Sequence, residues 1–284
     1  MKKISFIIRI VVLVLCGAVF LVSAGMLVKI MIGYRSADKA YEEINQGFET
    51  LDRTEKTESS EIEAESEDPE EESEEIYVIY RTDMTEQMRK QYDYLMELKA
   101  QYPNVVGYIS VPSISINYPV VYTDNNDYYL NHLITGEESP SGSIFLDYRC
   151  DPNALTAKNT VLYGHNMNNG SMFHNIEKLF SLEAFLDAEV EYICEEGIFL
   201  FKPLSVYRSD ATYPFARYTF STIDDYVNFC LTAVKKSRFT ESEQIEYAVE
   251  SSIITLITCT NSITSKSGRY VYQAVLDTVY LVED

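Results

Sequence analysis

The sequence predicts a single mainly β domain, a barrel decorated with a few helices, behind one N-terminal transmembrane helix. Three observations support this prediction. Hydrophobic residues make up 46% of the 284 residues, so the chain can bury a substantial core. Short runs of β-branched and aromatic residues recur from residue 105 onward, and turn residues separate them. One long uncharged run lies near the N-terminus.

The uncharged run predicts an uncleaved membrane anchor. It covers 19 residues, Ile10 to Val28, and a helix of that length spans about 28 Å, close to the thickness of the hydrocarbon core. A cleaved signal peptide is the rival interpretation, because Val22-Ser23-Ala24 resembles a cleavage site. The run is longer than the apolar region of a signal peptide, which favours the anchor. Basic residues flank the run equally, which leaves its orientation open: Lys2, Lys3 and Arg9 before it, and Lys29, Arg35 and Lys39 after it.

An acidic segment follows the anchor. Between Glu49 and Glu75 there are 14 acidic residues against two basic ones, a local charge of −12 within a formal total of −21. Such a segment cannot bury enough apolar surface to offset its ordering entropy. We therefore divide the chain into a stub and anchor at 1–33, a largely disordered acidic stalk at 34–80, whose start can extend the anchor helix, and a folded domain at 81–284. No basic patch is evident in the sequence, which argues against a nucleic-acid partner.

The folded domain contains the predicted strands and three predicted helices. Asp83 and Glu86 form a capping-box pattern at the start of the first helix, and Pro103 follows its end. The helices are predicted over 83–101, Ser171–Leu186 and Thr222–Lys236. The β-rich runs are 105–111, 118–122, 142–148, 159–164, 190–195, 197–207, 252–259 and 269–282.

Cys259 is the candidate nucleophile among the five cysteines. It ends a β-branched run just where polar residues begin, so its thiol is expected to be accessible. Cys194 in a strand and Cys230 on an apolar helical stripe are predicted to be small core residues. The irregular cysteine spacing argues against a disulfide framework. No Cys or His stands at ligand spacing from the histidines, so no metal site and no cofactor is predicted.

Arg269 and His165 are the candidates that could assist this thiol. Arg269 begins the next run after a nine-residue connection. If the two strands pair antiparallel, its guanidinium lies near Cys259, where it favours the thiolate and can receive a developing oxyanion. The alternative is a surface arginine and a buried cysteine. His165 directly follows a β-rich run and also stands at a strand end, whereas His174 is assigned to the surface or to packing and His132 has no chemical context.

The segments around these residues resemble those of the sortases, the cysteine transpeptidases of Gram-positive cell surfaces. Thr255-Leu256-Ile257-Thr258-Cys259 matches the TLxTC motif of that family, and Arg269 stands at its arginine position. Tyr163-Gly164-His165-Asn166-Met167 is similar to the segment around its catalytic histidine. Residues 143–149, the helix at 83–101 and the helix before the last Cys-bearing run are similar to class B members. The resemblance covers 81–284.

The resemblance implies an eight-stranded barrel of the class B sortase type, with an N-terminal helical extension behind a transmembrane helix. It implies that Cys259 is the nucleophile that forms a thioacyl-enzyme, His165 the general acid and base, and Arg269 the residue that positions substrate and stabilises the oxyanion. The implied partners are surface proteins with a C-terminal sorting signal, an amine of the cell-wall precursor or a pilin lysine, and the membrane. The implied location is the cell membrane, single-pass, with the N-terminus cytoplasmic and the catalytic domain extracellular.

Two other classes of protein are alternatives. Ser36-Ala37-Asp38-Lys39 and Lys266-Ser267-Gly268 imitate motifs of penicillin-binding serine acyltransferases. However, Ser36 lies just beyond the membrane run and not at the start of a core helix, and such short patterns recur by chance. The other alternative is a non-catalytic, membrane-tethered binding module in which Cys259 is buried. Thiol reactivity distinguishes that class from a sortase.

Overall fold

The structure is a computed structural model that describes residues 2–48, 78–154, 156–239, 251–259 and 268–282. These ranges contain nine strands: β1 (Ile79–Arg81), β2 (Val105–Val111), β3 (Ile116–Val121), β4 (Ile144–Leu146), β5 (Asn159–Tyr163), β6 (Val190–Cys194), β7 (Gly197–Asp210), β8 (Ile253–Cys259) and β9 (Gly268–Leu281). They also contain four α-helices: α1 (Lys2–Gly47), α2 (Glu86–Gln101), α3 (Leu182–Leu186) and α4 (Ile223–Lys236).

Eight of these strands close into a barrel. The hydrogen-bonded order is β9, β7, β6, β2, β3, β4, β5 and β8, and β8 pairs with β9 again. Most neighbours are antiparallel, but β3 with β4 and β5 with β8 are parallel. The predicted eight-stranded barrel is therefore confirmed. β1 is an additional strand that lies parallel to β9 outside the barrel, and its three exposed residues gave no periodic signal in the sequence.

α4 covers the outer side of the barrel next to the strand that ends in Cys259. Its buried residues Tyr226, Cys230 and Val234 pack with side chains from β7, β8 and β9. Thr222 caps the helix by accepting a hydrogen bond from the Asp225 backbone N–H at 3.1 Å. Ile253 of β8 packs in this cluster, and every residue of β8 before Cys259 is buried. The predicted helix at Thr222–Lys236 is confirmed.

Two other predicted helices differ from the structure in their boundaries. α2 is capped by Thr85, which accepts from the Met88 N–H at 3.2 Å, and not by Asp83. The single helix predicted over Ser171–Leu186 is wrong, because a 3₁₀ helix (His174–Phe180) and α3 divide that range. Ser181 separates them with extended backbone and caps α3 through its side chain. Local capping by a serine therefore overrides the continuous helical periodicity.

The last turns of α1 pack against the barrel. Ala37, Tyr41, Ile44 and Phe48 recur every three or four residues and are all buried. The Phe48 ring stacks on that of Tyr108 in β2, with centroids 3.5 Å apart. The hydroxyl group of Tyr108 donates to Asn45 Oδ1 at 2.8 Å. This apolar stripe and its hydrogen bonds fix the helix end on the domain.

The docked helix bears on the predicted division of the chain. Residues 34–47, at the start of the segment predicted as a stalk over 34–80, continue α1, which agrees with the expectation that this start can extend the anchor helix. The boundaries of the three predicted parts stay predictions. Phe48 and Val78, which flank the acidic segment, both pack against the barrel core. The described residues on both sides of the acidic segment therefore contact the same domain. Residues 49–77, for which disorder is predicted, lie outside the described residues.

The first part of α1 exposes apolar side chains along its length. Phe20 and Leu21 are each 72% exposed, and many other large apolar residues between Val12 and Ile32 are more than half exposed. Within the described residues, α1 is the one helix long and apolar enough to cross a membrane. This finding is compatible with single-pass membrane anchoring.

Candidate active site

Three neighbouring strands bring the predicted site residues to one end of the barrel. β5 and β8 are parallel, with Tyr163 opposite Ile257, so the chain leaves both strands at the same end. His165 follows β5 by two residues, and Cys259 is the last residue of β8. β9 runs antiparallel to β8, with Arg269 directly opposite Cys259. The antiparallel pairing on which the sequence prediction depended is therefore observed.

Cys259 differs from the other cysteines of the domain in its exposure. Cys150, Cys194 and Cys230 are buried, whereas Cys259 is exposed. Burial raises the pKa of the Cys150 and Cys230 thiols to about 12, and it raises the pKa of Cys194 well above its ordinary value. Such thiols are not ionised at neutral pH and do not act as nucleophiles. The predicted core positions of Cys194 and Cys230 are confirmed, and the buried Cys259 of the binding-module alternative is not observed.

Hydrogen bonds hold both the backbone and the ring of His165. The Gly164 N–H donates to the Ile257 carbonyl at 3.1 Å, and the Phe173 N–H donates to the His165 carbonyl at 2.9 Å. The His165 Nε2 lies 2.7 Å from the Leu130 carbonyl oxygen. A carbonyl oxygen can only accept, so Nε2 donates here and carries a proton. This bond orients the ring and leaves Nδ1 as the nitrogen that can exchange a proton with a reactant.

Arg269 brings a guanidinium to the strand position opposite Cys259. Its Nη1 donates to the Gly268 carbonyl at 2.9 Å. In the part of the chain that the structure describes, no carboxylate forms an ion pair with this guanidinium. Its remaining N–H groups can therefore bind a carbonyl oxygen or an oxyanion of a substrate.

Arg269 also lines a groove of about 610 Å³. The groove lies between the ends of β4 and β5 and the segment 211–218, which follows β7. Arg149 and Tyr163 form its other side. A smaller cavity of about 290 Å³ shares Arg149 and Tyr218 with it. The two cavities are therefore adjacent, and the larger one includes the residue opposite Cys259.

A buried carboxylate fixes two side chains of this groove. Asp147 accepts hydrogen bonds from Arg149 Nε at 2.8 Å, from Arg149 Nη2 at 2.6 Å and from the Tyr163 hydroxyl at 2.9 Å. Burial alone would raise the pKa of Asp147, but the hydrogen bonds from Arg149 and Tyr163 outweigh it and hold that pKa below its ordinary value. No role for these residues is predicted from the sequence. Their signal was an aspartate at the end of a β-rich run with an arginine two residues later.

The remaining histidines lie in local contacts. His132 stacks on Tyr128 with ring centroids 4.0 Å apart. His174 is half-buried in the 3₁₀ helix, and its Nδ1 lies 2.7 Å from Asn166 Oδ1. Asn166, which the sequence analysis did not single out, donates from Nδ2 to the Cys259 carbonyl at 2.9 Å. The structure thus connects His174 to the site through Asn166.

Comparison with known proteins identifies the family. Residues 109–277 match the sortase domain family. The chain belongs to the sortase family. Sortase B of Listeria monocytogenes is 31% identical to it over 188 residues, which are 66% of this chain and 75% of that protein. The crystal structure of B. anthracis sortase B in complex with AAEK1 is 26% identical, covers 87% of this chain and 99% of its own, and has a TM-score of 0.64.

A further relative supports the class assignment. The Staphylococcus aureus sortase B–substrate complex is 26% identical, covers 65% of this chain and 85% of its own, and has a TM-score of 0.59. These likenesses place the sortase in class B, so it is a cysteine transpeptidase. The serine acyltransferase alternative is therefore wrong. Its Ser36 lies on α1, and the other motif begins at Lys266, outside the described residues.

Proposed function

We propose that this sortase uses Cys259, His165 and Arg269 to cleave a C-terminal sorting signal of exported surface proteins and to transfer those proteins to an amine. The observation that carries the proposal is the strand register. Cys259 is the last residue of β8. It lies opposite Arg269 of β9, and on its other side β8 pairs with β5, which His165 follows. The exposure of Cys259 distinguishes its thiol from the buried thiols of the domain.

The proposed reaction has two acyl-transfer steps. The Cys259 thiol gives its proton to His165, its sulfur attacks the carbonyl carbon of a threonine in the sorting signal, a carbon–sulfur bond forms, and the peptide carbon–nitrogen bond breaks. His165 gives a proton to the departing amine. The incoming amine then attacks the thioester, loses its proton to His165 and releases the Cys259 sulfur. Arg269 stabilises the oxyanion in both steps.

The groove lined by Arg149, Tyr163, Arg269 and residues 211–218 is proposed to hold the sorting signal. It begins at Arg269, opposite the nucleophile, and its volume of about 610 Å³ is in the range of ligand-binding clefts. Guanidinium groups and tyrosine rings provide hydrogen bonds to a peptide backbone and surfaces for its side chains.

The acceptor and the orientation in the membrane complete the proposal. The acceptor is an amine of the cell-wall precursor or a pilin lysine. The N-terminus is cytoplasmic and the barrel extracellular, because the substrates are outside the cell. The helix supports this arrangement, since the barrel packs on the end of α1 that follows the exposed apolar stretch. A helix that crosses the membrane then puts Met1 and the barrel on opposite sides.

The test uses the full-length protein in detergent micelles, because the end of α1 and the adjacent Phe48 pack on the barrel. The enzyme is incubated with a panel of sorting-type peptides and hydroxylamine, and products and enzyme adducts are followed by mass spectrometry. We expect cleavage after threonine and a thioacyl adduct on Cys259. Cys259→Ala should abolish both. His165→Ala and Arg269→Ala should lower kcat by about 10²-fold or more.

Matched controls accompany each variant. His132→Gln controls for the loss of an imidazole. Arg208→Ala controls for the loss of a guanidinium, because Arg208 lies on β7 opposite Tyr270, the residue after Arg269 on β9. Both should retain activity. Turnover or an adduct in Cys259→Ala would contradict the assignment of the nucleophile. No cleavage of any peptide, together with a Cys259 that resists alkylation, would favour the binding module.

A further inference from the structure

Asn166 connects the loop of His165 to the strand end of Cys259. Its side-chain Nδ2 donates to the Cys259 carbonyl oxygen at 2.9 Å. Its Oδ1 lies 2.7 Å from Nδ1 of His174. On the other side of the His174 ring, Nε2 lies 3.4 Å from Glu177 Oε1. A chain of polar contacts therefore runs from the nucleophile's backbone to the 3₁₀ helix.

The first contact in this chain prolongs the pairing between β5 and β8. The backbone ladder of these parallel strands reaches the bond from the Gly164 N–H to the Ile257 carbonyl. Asn166 and Cys259 stand two residues further along each strand, where the next bond of a parallel ladder would fall. The Asn166 side chain bonds the Cys259 carbonyl at this position. Cys259 is thus held from both sides, by Asn166 and by its β9 partner Arg269.

The contacts fix which way the Asn166 amide faces. A backbone carbonyl can only accept, so the NH₂ group must point to Cys259 and Oδ1 must point to His174. The facing nitrogen of His174 must then donate, which places a proton on Nδ1. Removing this donor would leave Oδ1 without that partner and would allow the amide to rotate away from Cys259.

The loop between Asn166 and His174 is built to keep the two side chains together. Asn166 and Met172 form an antiparallel bridge. Met172 and Gly170 have positive φ values of 57° and 87°, which allow the chain to reverse between them. The Met172 N–H donates to the Tyr118 hydroxyl at 2.9 Å, which ties this turn to β3. The loop is therefore anchored to the barrel independently of Cys259.

We infer that Asn166, held in place by His174, is a positioning residue that sets the end of the nucleophile's strand against the catalytic histidine. The inference rests on the proposed roles of Cys259 and His165. The reason is geometric. Asn166 is adjacent to His165 in the chain and bonds the backbone of Cys259, so one side chain fixes the separation of the two reacting groups. Displacing reacting groups by about 1 Å can cost about 10²-fold in rate.

The experiment measures kcat and KM of the full-length protein with whichever peptide of the sorting-type panel the wild type cleaves. Asn166→Ala should lower kcat about 10- to 100-fold with KM changed less than about threefold. His174→Ala should lower kcat about fivefold or more. His174→Asn places an amide nitrogen where Nδ1 was, so it should recover kcat to within about threefold of the wild type.

Two controls distinguish positioning from loss of structure. Asn169→Ala removes an asparagine from the same loop that contacts Asp38 on α1 and Ser171, not β8, and it should retain wild-type kcat. Alkylation with iodoacetamide, mapped by mass spectrometry, should modify only Cys259 among the four cysteines of the folded domain in every variant. A variant that loosens the barrel would expose Cys150, Cys194 and Cys230, which are buried in the intact protein.

Each further outcome bears on the inference. A kcat of Asn166→Ala within twofold of the wild type would overturn it, as would a His174→Asn variant no better than His174→Ala. Equal losses in Asn166→Ala and Asn169→Ala would also overturn it, because the effect would then belong to the loop in general. If the wild type cleaves no more peptide than Cys259→Ala does, the proposed function fails, and the inference fails with it.

Discussion

The pair formed by Asp147 and Arg149 under the groove makes a quantitative prediction. The Asp147 side chain is fully buried and that of Arg149 is 36% exposed. Asp147→Asn keeps the shape of the side chain but removes the charge that accepts from Arg149 Nε and Nη2. Breaking a buried ion pair costs about 3–5 kcal/mol, and the partial exposure of Arg149 favours the lower end of that range. We expect a free energy of unfolding lower by about 3 kcal/mol, or a Tm lower by about 6–12 °C.

The pH dependence of this effect has a definite sign. Hydrogen bonds from Arg149 and Tyr163 hold the pKa of Asp147 below its ordinary value in the folded state, despite the opposing effect of burial. A carboxylate with a lowered pKa stabilises the fold above its unfolded pKa, about 3.9, and loses that contribution as the pH falls through the folded pKa. The difference between wild type and Asp147→Asn should therefore be full at pH 7 and should shrink at acidic pH below about 4.

The assay is thermal unfolding of the full-length protein in detergent, followed by the near-UV circular dichroism of its 23 tyrosines. Asp225→Asn is the matched control. It removes the carboxylate of another Asp–Arg pair, with Arg217, but at a more exposed position, and its effect at pH 7 should be smaller. A Tm for Asp147→Asn no lower than that of Asp225→Asn would refute the reasoning, as would a difference from wild type that persists unchanged in acid.

Two further predictions concern the docked helix and the thiols. Phe48→Ala should lower the free energy of unfolding by about 3–5 kcal/mol and speed hydrogen exchange at the end of α1, because the Phe48 ring is 4% exposed and stacks on Tyr108. The control Ile223→Ala changes a residue that is 71% exposed, so it should change the free energy of unfolding by less than about 0.5 kcal/mol. If Phe48→Ala and Ile223→Ala lowered that free energy equally, α1 would not dock on the barrel. In a Cys16→Ala background, iodoacetamide at pH 7 should modify Cys259 under native conditions and the three buried cysteines after unfolding. Native labelling of a buried cysteine at the rate of Cys259 would contradict that order.

The strand pattern and the candidate nucleophile could be predicted from the sequence because both depend on neighbouring residues. The run 253–259 alternates β-branched residues up to a polar boundary, and the structure ends β8 at Cys259 with that residue exposed. The helix predicted over Thr222–Lys236 is observed as Ile223–Lys236, with Thr222 as its cap. Asp83 is predicted to cap α2, but Thr85 caps it instead, through a hydrogen bond from the Met88 N–H.

The position of the anchor helix could not be predicted from the sequence. Residues 34–48 carry an apolar stripe of only four buried positions, and the acidic segment after them is typical of an extended spacer. Phe48 stacks on Tyr108 and Tyr94 donates to the Ile44 carbonyl at 3.0 Å, both across long stretches of chain. A local sequence pattern cannot predict such contacts, because the two residues in each contact are far apart in the sequence.

The sequence by itself determined the long apolar N-terminal helix, the β-rich domain, the accessible cysteine at a strand end and the motifs that resemble the family. These features follow from composition, periodicity and residues that are adjacent in the chain. Tertiary structure decided which strand ends meet. Cys259 and Asn166 are 93 residues apart and are joined by one hydrogen bond, and Asp147 meets Tyr163 through the pairing of β4 with β5. The pairing of β5 with β4 on one side and with β8 on the other creates both contacts, because the strand register fixes which side chains share an end.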